Sequence, residues 1–139
     1  MFIGMQPVPT SLEIGDKVYV LADFQIKHYG ICIVADWFRE PRIVHNVKAC
    51  AVIETDLKTF SGGRPVNIEY RARNWMQAID IVQRARSLMG TPYDFFNFNC
   101  EQAANFAAHG QPVSLQLRQA FGLFALGGLA LLIAGAARR

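Results

Sequence analysis

The chain holds three cysteines (Cys32, Cys50, Cys100) and three histidines (His28, His45, His109). Their positions leave few combinations able to move a proton and attack a carbonyl. Cys100 stands in the run Tyr93-Asp94-Phe95-Phe96-Asn97-Phe98-Asn99-Cys100-Glu101-Gln102-Ala103-Ala104, where a loop gives way to a helix. The first-turn amide protons of a helix favour the thiolate there. His28 and His45 fall on segments that read as strands. A thiol at a helix start and an imidazole on a facing strand form the core of a cysteine-based acyl-transfer site. The bland alternative is that Cys100 is a small buried hydrophobe.

Spacing removes the rivals. On a strand, His28, Gly30, Cys32 and Val34 share one face, but Cys32 lies about 13 Å along it from His28. His109 is nine residues of helix from Cys100, roughly 13 Å away. Cys50 is not excluded by sequence but lacks a predicted helix start. The pairing that needs no awkward geometry is Cys100 with a sheet histidine, and in a hairpin His28 and His45 become neighbours. One imidazole takes the thiol proton and the other orients that first ring and holds its tautomer. A cationic imidazole and a helix start would then lower the thiol pKa from about 8.5 by one or more units. The thiolate attacks an ester, amide or thioester carbonyl, and backbone amides around Asn99 and Cys100 hold the oxyanion. Water as acceptor gives hydrolysis; an alcohol or amine gives transfer. Two other readings stand beside this: His45 as a satisfied structural residue, and zinc held by His28, His45 and Cys100, residue types that suit the metal but offer no short ligand pair.

The elements that must position these side chains are legible in outline. Glu13-Ile14-Gly15-Asp16 reads as a turn into a first strand, 17–21, and 28–35 as a second. Residues 36–41 read as the hairpin loop, 42–47 as a third strand and 51–54 as a fourth. Residues 55–60 read as a helical turn stopped at Gly62-Gly63, and 65–70 as a last strand. The period then becomes helical, with Ala78, Ile81, Val82, Ala85, Leu88 and Met89 on one face, Asn74 as cap and Gly90 as stop. A second helix starts near Asn99, runs to about Ala108 and ends at Gly110 and Pro112. The small Ala103, Ala104 and Ala107 allow it close to a sheet. The fold class expected is α+β, an antiparallel sheet packed against helices.

At 139 residues a single domain is expected. The net charge of +3 is scattered, without a basic stripe interleaved with aromatics, so nucleic acid is not indicated as partner. Three cysteines without CxxC spacing point to a reducing compartment. The first ten residues lack the basic start and apolar core of a secretory signal. From Gln119 to Ala137 no residue is charged. As a helix these nineteen residues would span roughly 28 Å, close to a bilayer's hydrocarbon thickness, with Arg118 on one side and Arg138 and Arg139 on the other. A C-terminal transmembrane helix acting as a single-pass anchor is therefore expected, against the alternative of a buried C-terminal helix. The division expected is 1–11 irregular, 12–112 the thiol acyl-transfer domain and 113–139 the membrane anchor.

Four pieces in this order resemble one known family: Glu13-Ile14-Gly15-Asp16 with its strand, His28-Tyr29-Gly30-Ile31-Cys32-Ile33-Val34, Ile43-Val44-His45, and Asn99-Cys100-Glu101-Gln102. They look like the lecithin retinol acyltransferase (LRAT) and HRAS-like suppressor phospholipase/acyltransferase family, itself similar to a circularly permuted NlpC/P60-like papain fold. The resemblance spans about residues 12–109. It implies Cys100 as nucleophile, His28 as its base and His45 as the third member. It also implies a phospholipid or other acyl-ester substrate, no metal or cofactor, and a catalytic domain facing the cytoplasm with its tail in a membrane. Two departures bear on substrate: Gln102 stands where the family pattern usually has histidine, and residues 35–42 are longer than its glycine turn. That stretch carries Trp37 and Phe38, suited equally to an acyl-chain contact and to a packed loop. The alternative functions are a papain-like cysteine peptidase or amidase and a non-catalytic tail-anchored adaptor.

Overall fold

Five strands pair antiparallel throughout: β1 (Lys17–Leu21), β2 (Lys27–Asp36), β3 (Arg39–Asn46), β4 (Val52–Asp56) and β5 (Asn67–Tyr70). They form one sheet in the order β4-β3-β2-β1-β5 in a computed structural model that describes residues 11–36 and 38–122. Three helices complete it: α1 (Leu57–Ser61), α2 (Trp75–Ser87) and α3 (Cys100–His109). Residues 115–122 are also helical. The expected antiparallel sheet with helices is present. The transmembrane helix included in that expectation is corrected: among the described residues no helix is long and apolar enough to cross a membrane. Most of the uncharged run, residues 123–137, lies outside the described residues, as do residues 1–10 and Trp37.

Strand alternation divides the core between the two faces of the sheet. Tyr29, Ile31, Ile33, Val44 and Val52 pack with Ile81, Val82 and Ala85 of α2 and with Ala103, Ala104, Ala107 and Ala108 of α3. Val18, Val20, Cys32 and Ile43 pack on the other face with Phe60 of α1. Alanines at helical spacing bring α3 close to the strands.

Two differences from the sequence reading concern the hairpin and β4. The strands continue to the pair Asp36 and Arg39, so Pro41 lies inside β3. Register shifts in β2 between Cys32 and Asp36 interrupt the ladder there, which accommodates a residue without an N–H. Thr55 and Asp56 belong to β4, and Asp56 caps α1 by accepting from the Thr59 amide at 2.6 Å.

The Glu13-Ile14-Gly15-Asp16 turn proves structural. Asp16 is fully buried and takes Arg71 Nε and Nη2, each at 2.8 Å, and the Glu13 amide at 2.8 Å. Gly15 has φ +85°, and a Cβ there would stand 2.9 Å from Ala78 Cα, so only glycine lets α2 approach this turn.

Candidate active site

His28 and His45 project from β2 and β3 onto the α1 face. His45 pairs with Gly30 across the ladder, and His28 lies two residues earlier on β2. Their side chains meet directly, His28 Nε2 to His45 Nδ1 at 2.9 Å. The other nitrogen of His45, Nε2, lies 2.8 Å from Thr55 Oγ1. Phe60 backs both rings, with centroid separations of 5.4 Å to His28 and 5.1 Å to His45. Gly30 makes this stack possible: a Cβ would stand 2.5 Å from Ile43 Cγ2 and 3.0 Å from Phe60 Cε2. Burial, followed by the neighbouring His28, pushes His45 down to about 4. Burial also lowers His28. Both imidazoles are accordingly neutral at neutral pH.

Cys100 is the first residue of α3, behind an Asn99 cap that closes a full capping box. Asn99 Oδ1 accepts from the Gln102 amide at 3.0 Å, and Gln102 Oε1 accepts from the Asn99 amide at 2.8 Å. Gln102 Nε2 also donates to the Phe96 carbonyl at 3.0 Å. The glutamine that departs from the family pattern thus fixes the loop and the helix start. It also corrects the oxyanion expectation: the Asn99 amide is occupied, which leaves the amides of Cys100 and Glu101.

The thiol enters a gap in the sheet. β3 pairs with β2 only from Gly30 onward, leaving Lys27, His28 and Tyr29 without β3 partners. Cys100 Sγ sits there, 4.0 Å from the Lys27 carbonyl. Gln116 completes the edge, accepting from the Lys27 amide at 3.1 Å and donating to its carbonyl at 3.3 Å. Glu101, buried beside the thiol, holds that segment through Ser114 Oγ at 2.5 Å and the amides of Leu115 and Gln116 at 3.0 and 3.1 Å. Asn46, next to His45, donates to the Phe98 carbonyl at 2.7 Å and ties the approach loop to β3.

The expected low thiol pKa is not the resting condition. Burial pushes the Cys100 thiol up, and the amides of Tyr29, Glu101 and Cys100, which favour the thiolate, offset only part of this. A thiol shifted up and imidazoles shifted down do not make a preformed ion pair; chemically, such an arrangement can act by general-base activation. Cys100 Sγ bonds to neither imidazole.

The remaining candidates separate as spacing required. Cys32 is buried in the core beneath α1, its thiol pushed up to about 12 chiefly by burial. Cys50 is exposed in the turn between β3 and β4. His109 stacks on Tyr70 at the far end of α3, centroids 4.7 Å apart. Among the described residues no group of three or more His, Cys, Asp or Glu side chains is placed to hold a metal ion, so His28, His45 and Cys100 do not converge as a zinc set.

Thr55 is the residue that the sequence reading missed, because 55–60 read as a helical turn. Extending β4 by two residues reveals it, since alternation places Ile53 and Thr55 on the face of their partners His45 and Ile43. The slot behind the thiol, lined by Tyr29, Val44, His45, Ala103, Ala104 and Ala107, encloses only about 10 Å³. A larger cleft of about 370 Å³ lies alongside, lined by Lys17, Tyr29, Glu69, Glu101, Asn105 and His109. Its polar groups bond to one another, Lys17 to Glu69 and Asn105 at 2.5 Å each and Tyr29 to Glu69 at 3.0 Å. Comparison with protein-family models finds no match to this chain, and no curated protein matches it.

Proposed function

We propose that the protein is a thiol-dependent acyl-transfer enzyme acting on lipid esters, with Cys100 as nucleophile, His28 as its base and His45 orienting His28. The observation that carries this reading is the 2.9 Å bond between the two imidazoles, beside a thiol seated on a helix start and next to the backbone preceding His28.

A lipid rather than a peptide substrate is favoured by the rim. Leu21, Phe24 and Ile26, leading into His28, are 40%, 96% and 55% exposed. Phe95 and Phe96, leading into Cys100, are 56% and 57% exposed, and Phe121 lies against Phe96 with centroids 6.2 Å apart. Large apolar side chains held in water around a reactive group mark an interaction surface. The slot behind the thiol is too small for an acyl chain, so the chain would lie along this rim, in the lipid phase, during attack. Phe38, also exposed, lies at the opposite end of β2 and is not part of the rim.

In the reaction, the Cys100 proton passes to His28, the sulfur bonds to the ester carbonyl carbon, and the amides of Cys100 and Glu101 meet the oxyanion. The alcohol leaves with the proton from His28. Water or a second lipid's alcohol or amine then attacks the thioester carbonyl, giving its proton to His28; the C–S bond breaks, and that proton returns to the Cys100 sulfur. The test is incubation of the full chain with acyl-labelled phosphatidylcholine, followed by isolation of a hydroxylamine-sensitive adduct on Cys100. Cleavage of a peptide panel without a lipid adduct would move the assignment to the peptidase reading. Absence of both would leave an adaptor.

A further inference from the structure

We propose that Thr55 is a positioning residue of this site, its hydroxyl accepting from His45 Nε2–H and so holding His45 in the tautomer that leaves His28 free to act as base. The inference rests on the acyl-transfer reading given above and concerns a residue outside its three named members.

A neutral imidazole carries one N–H. His45 is 7% exposed, with His28 on one nitrogen and Thr55 on the other. If the proton is on Nε2, it is donated to Thr55 Oγ1. His45 Nδ1 then accepts from His28 Nε2–H, and the second nitrogen of His28, Nδ1, keeps its lone pair for the thiol. If the proton is on His45 Nδ1, it is donated to His28 Nε2. The His28 proton is then on Nδ1, and that ring cannot accept from Cys100. Only the first arrangement also survives the reaction. When the S–H bond breaks and the proton bonds to His28 Nδ1, the resulting imidazolium has a proton on both nitrogens. Its Nε2–H needs an acceptor at His45 Nδ1, and His45 Nε2–H in turn needs one at Thr55.

The surroundings narrow the choice to this hydroxyl. Phe60 from α1 covers both rings and offers no hydrogen-bonding atom. Ile53, the direct cross-strand partner of His45 on β4, offers none either. His28 is the titratable group in contact with His45 and the one that, after burial, depresses its basicity. A neutral His45 is a relay of orientation, not a second base, and orientation needs a fixed partner at its far side.

The test uses the full chain with Cys50→Ser, which removes the exposed thiol. The pH dependence of Cys100 alkylation by iodoacetamide is compared for the parent, Thr55→Val and Thr55→Ser. Removing one buried hydrogen-bond partner is expected to slow alkylation near pH 7 roughly tenfold and to move its midpoint upward; Thr55→Ser should return to within about twofold of the parent. Nitrogen-15 spectra of histidine-labelled protein should place the His45 proton on Nε2 in the parent. A parent His45 protonated on Nδ1, or an unchanged alkylation profile in Thr55→Val, would overturn the proposal. Should Thr55→Val not fold, the parent spectrum and the Thr55→Ser profile decide it. Alkylation that ignores His28→Ala would instead sink the acyl-transfer reading, while the His45 tautomer still reports on Thr55.

Discussion

The imidazole half of the site and its thiol half are built by different means. His28, His45 and Thr55 are joined side chain to side chain across three adjacent strands and roofed by Phe60. Cys100 is placed by backbone, through the Asn99 and Gln102 capping box and the unpaired stretch of β2, with Glu101 and Gln116 closing the gap. The imidazoles are therefore held by the sheet, while the thiol is placed by a helix start and the segment that Glu101 ties down.

The largest effect should come from the two ends of the proton path. Cys100→Ser and His28→Ala are each expected to lower acyl transfer about a thousandfold or more, read as lipid turnover with the fold checked by circular dichroism. If His28→Ala retains turnover, the sheet half is not the base. Next, Glu101→Ala removes a buried acceptor of four hydrogen bonds and should cost about 3 kcal/mol in urea unfolding, with early proteolysis near Ser114. Unchanged protease resistance would show that the thiol half needs no brace.

The third effect is the contribution of the sheet half to the pH dependence of stability. His45 is held near 4 when folded and titrates near 6.5 when unfolded, so the unfolded chain binds more protons between those values. Stability should fall as pH drops from about 6.5 towards 4, by about 3 kcal/mol, and His45→Gln should flatten the slope. Gly30→Ala comes fourth. Its Cβ would overlap Ile43, costing about 1–3 kcal/mol, and would push Phe60 off the imidazoles. Denaturant midpoints and the His45 spectrum report both. The smallest effect belongs to Cys50→Ser, expected within about 0.5 kcal/mol of the parent in the same assay, since the side chain is exposed.

Much of the sheet half was legible in advance. Alternation along 28–34 put His28, Gly30 and Cys32 on one face, and a hairpin was enough to make His28 and His45 neighbours. Thr55 was not legible, because a Thr-Asp pair before an apolar turn signals a helix cap as readily as a strand end. In the thiol half, Asn99 and Cys100 were readable from the cap chemistry. Gln116 was not, since its role is to stand in for a strand that stops at Asn46, and no local pattern records where a neighbouring strand stops.

Residue type and short-range spacing by themselves determined the order of strands and helices, the helix start at Cys100, and the exclusion of Cys32 and His109. Those follow from the periods of 2 and 3.6 residues, which are local properties of the backbone. Only the tertiary structure decided that Thr55 completes the histidine chain, that burial pushes the Cys100 thiol up, and that Asp16 serves Arg71. Each depends on burial and on partners distant in sequence. Desolvation and hydrogen bonding act on what surrounds a group in space, and the chain order alone does not contain that.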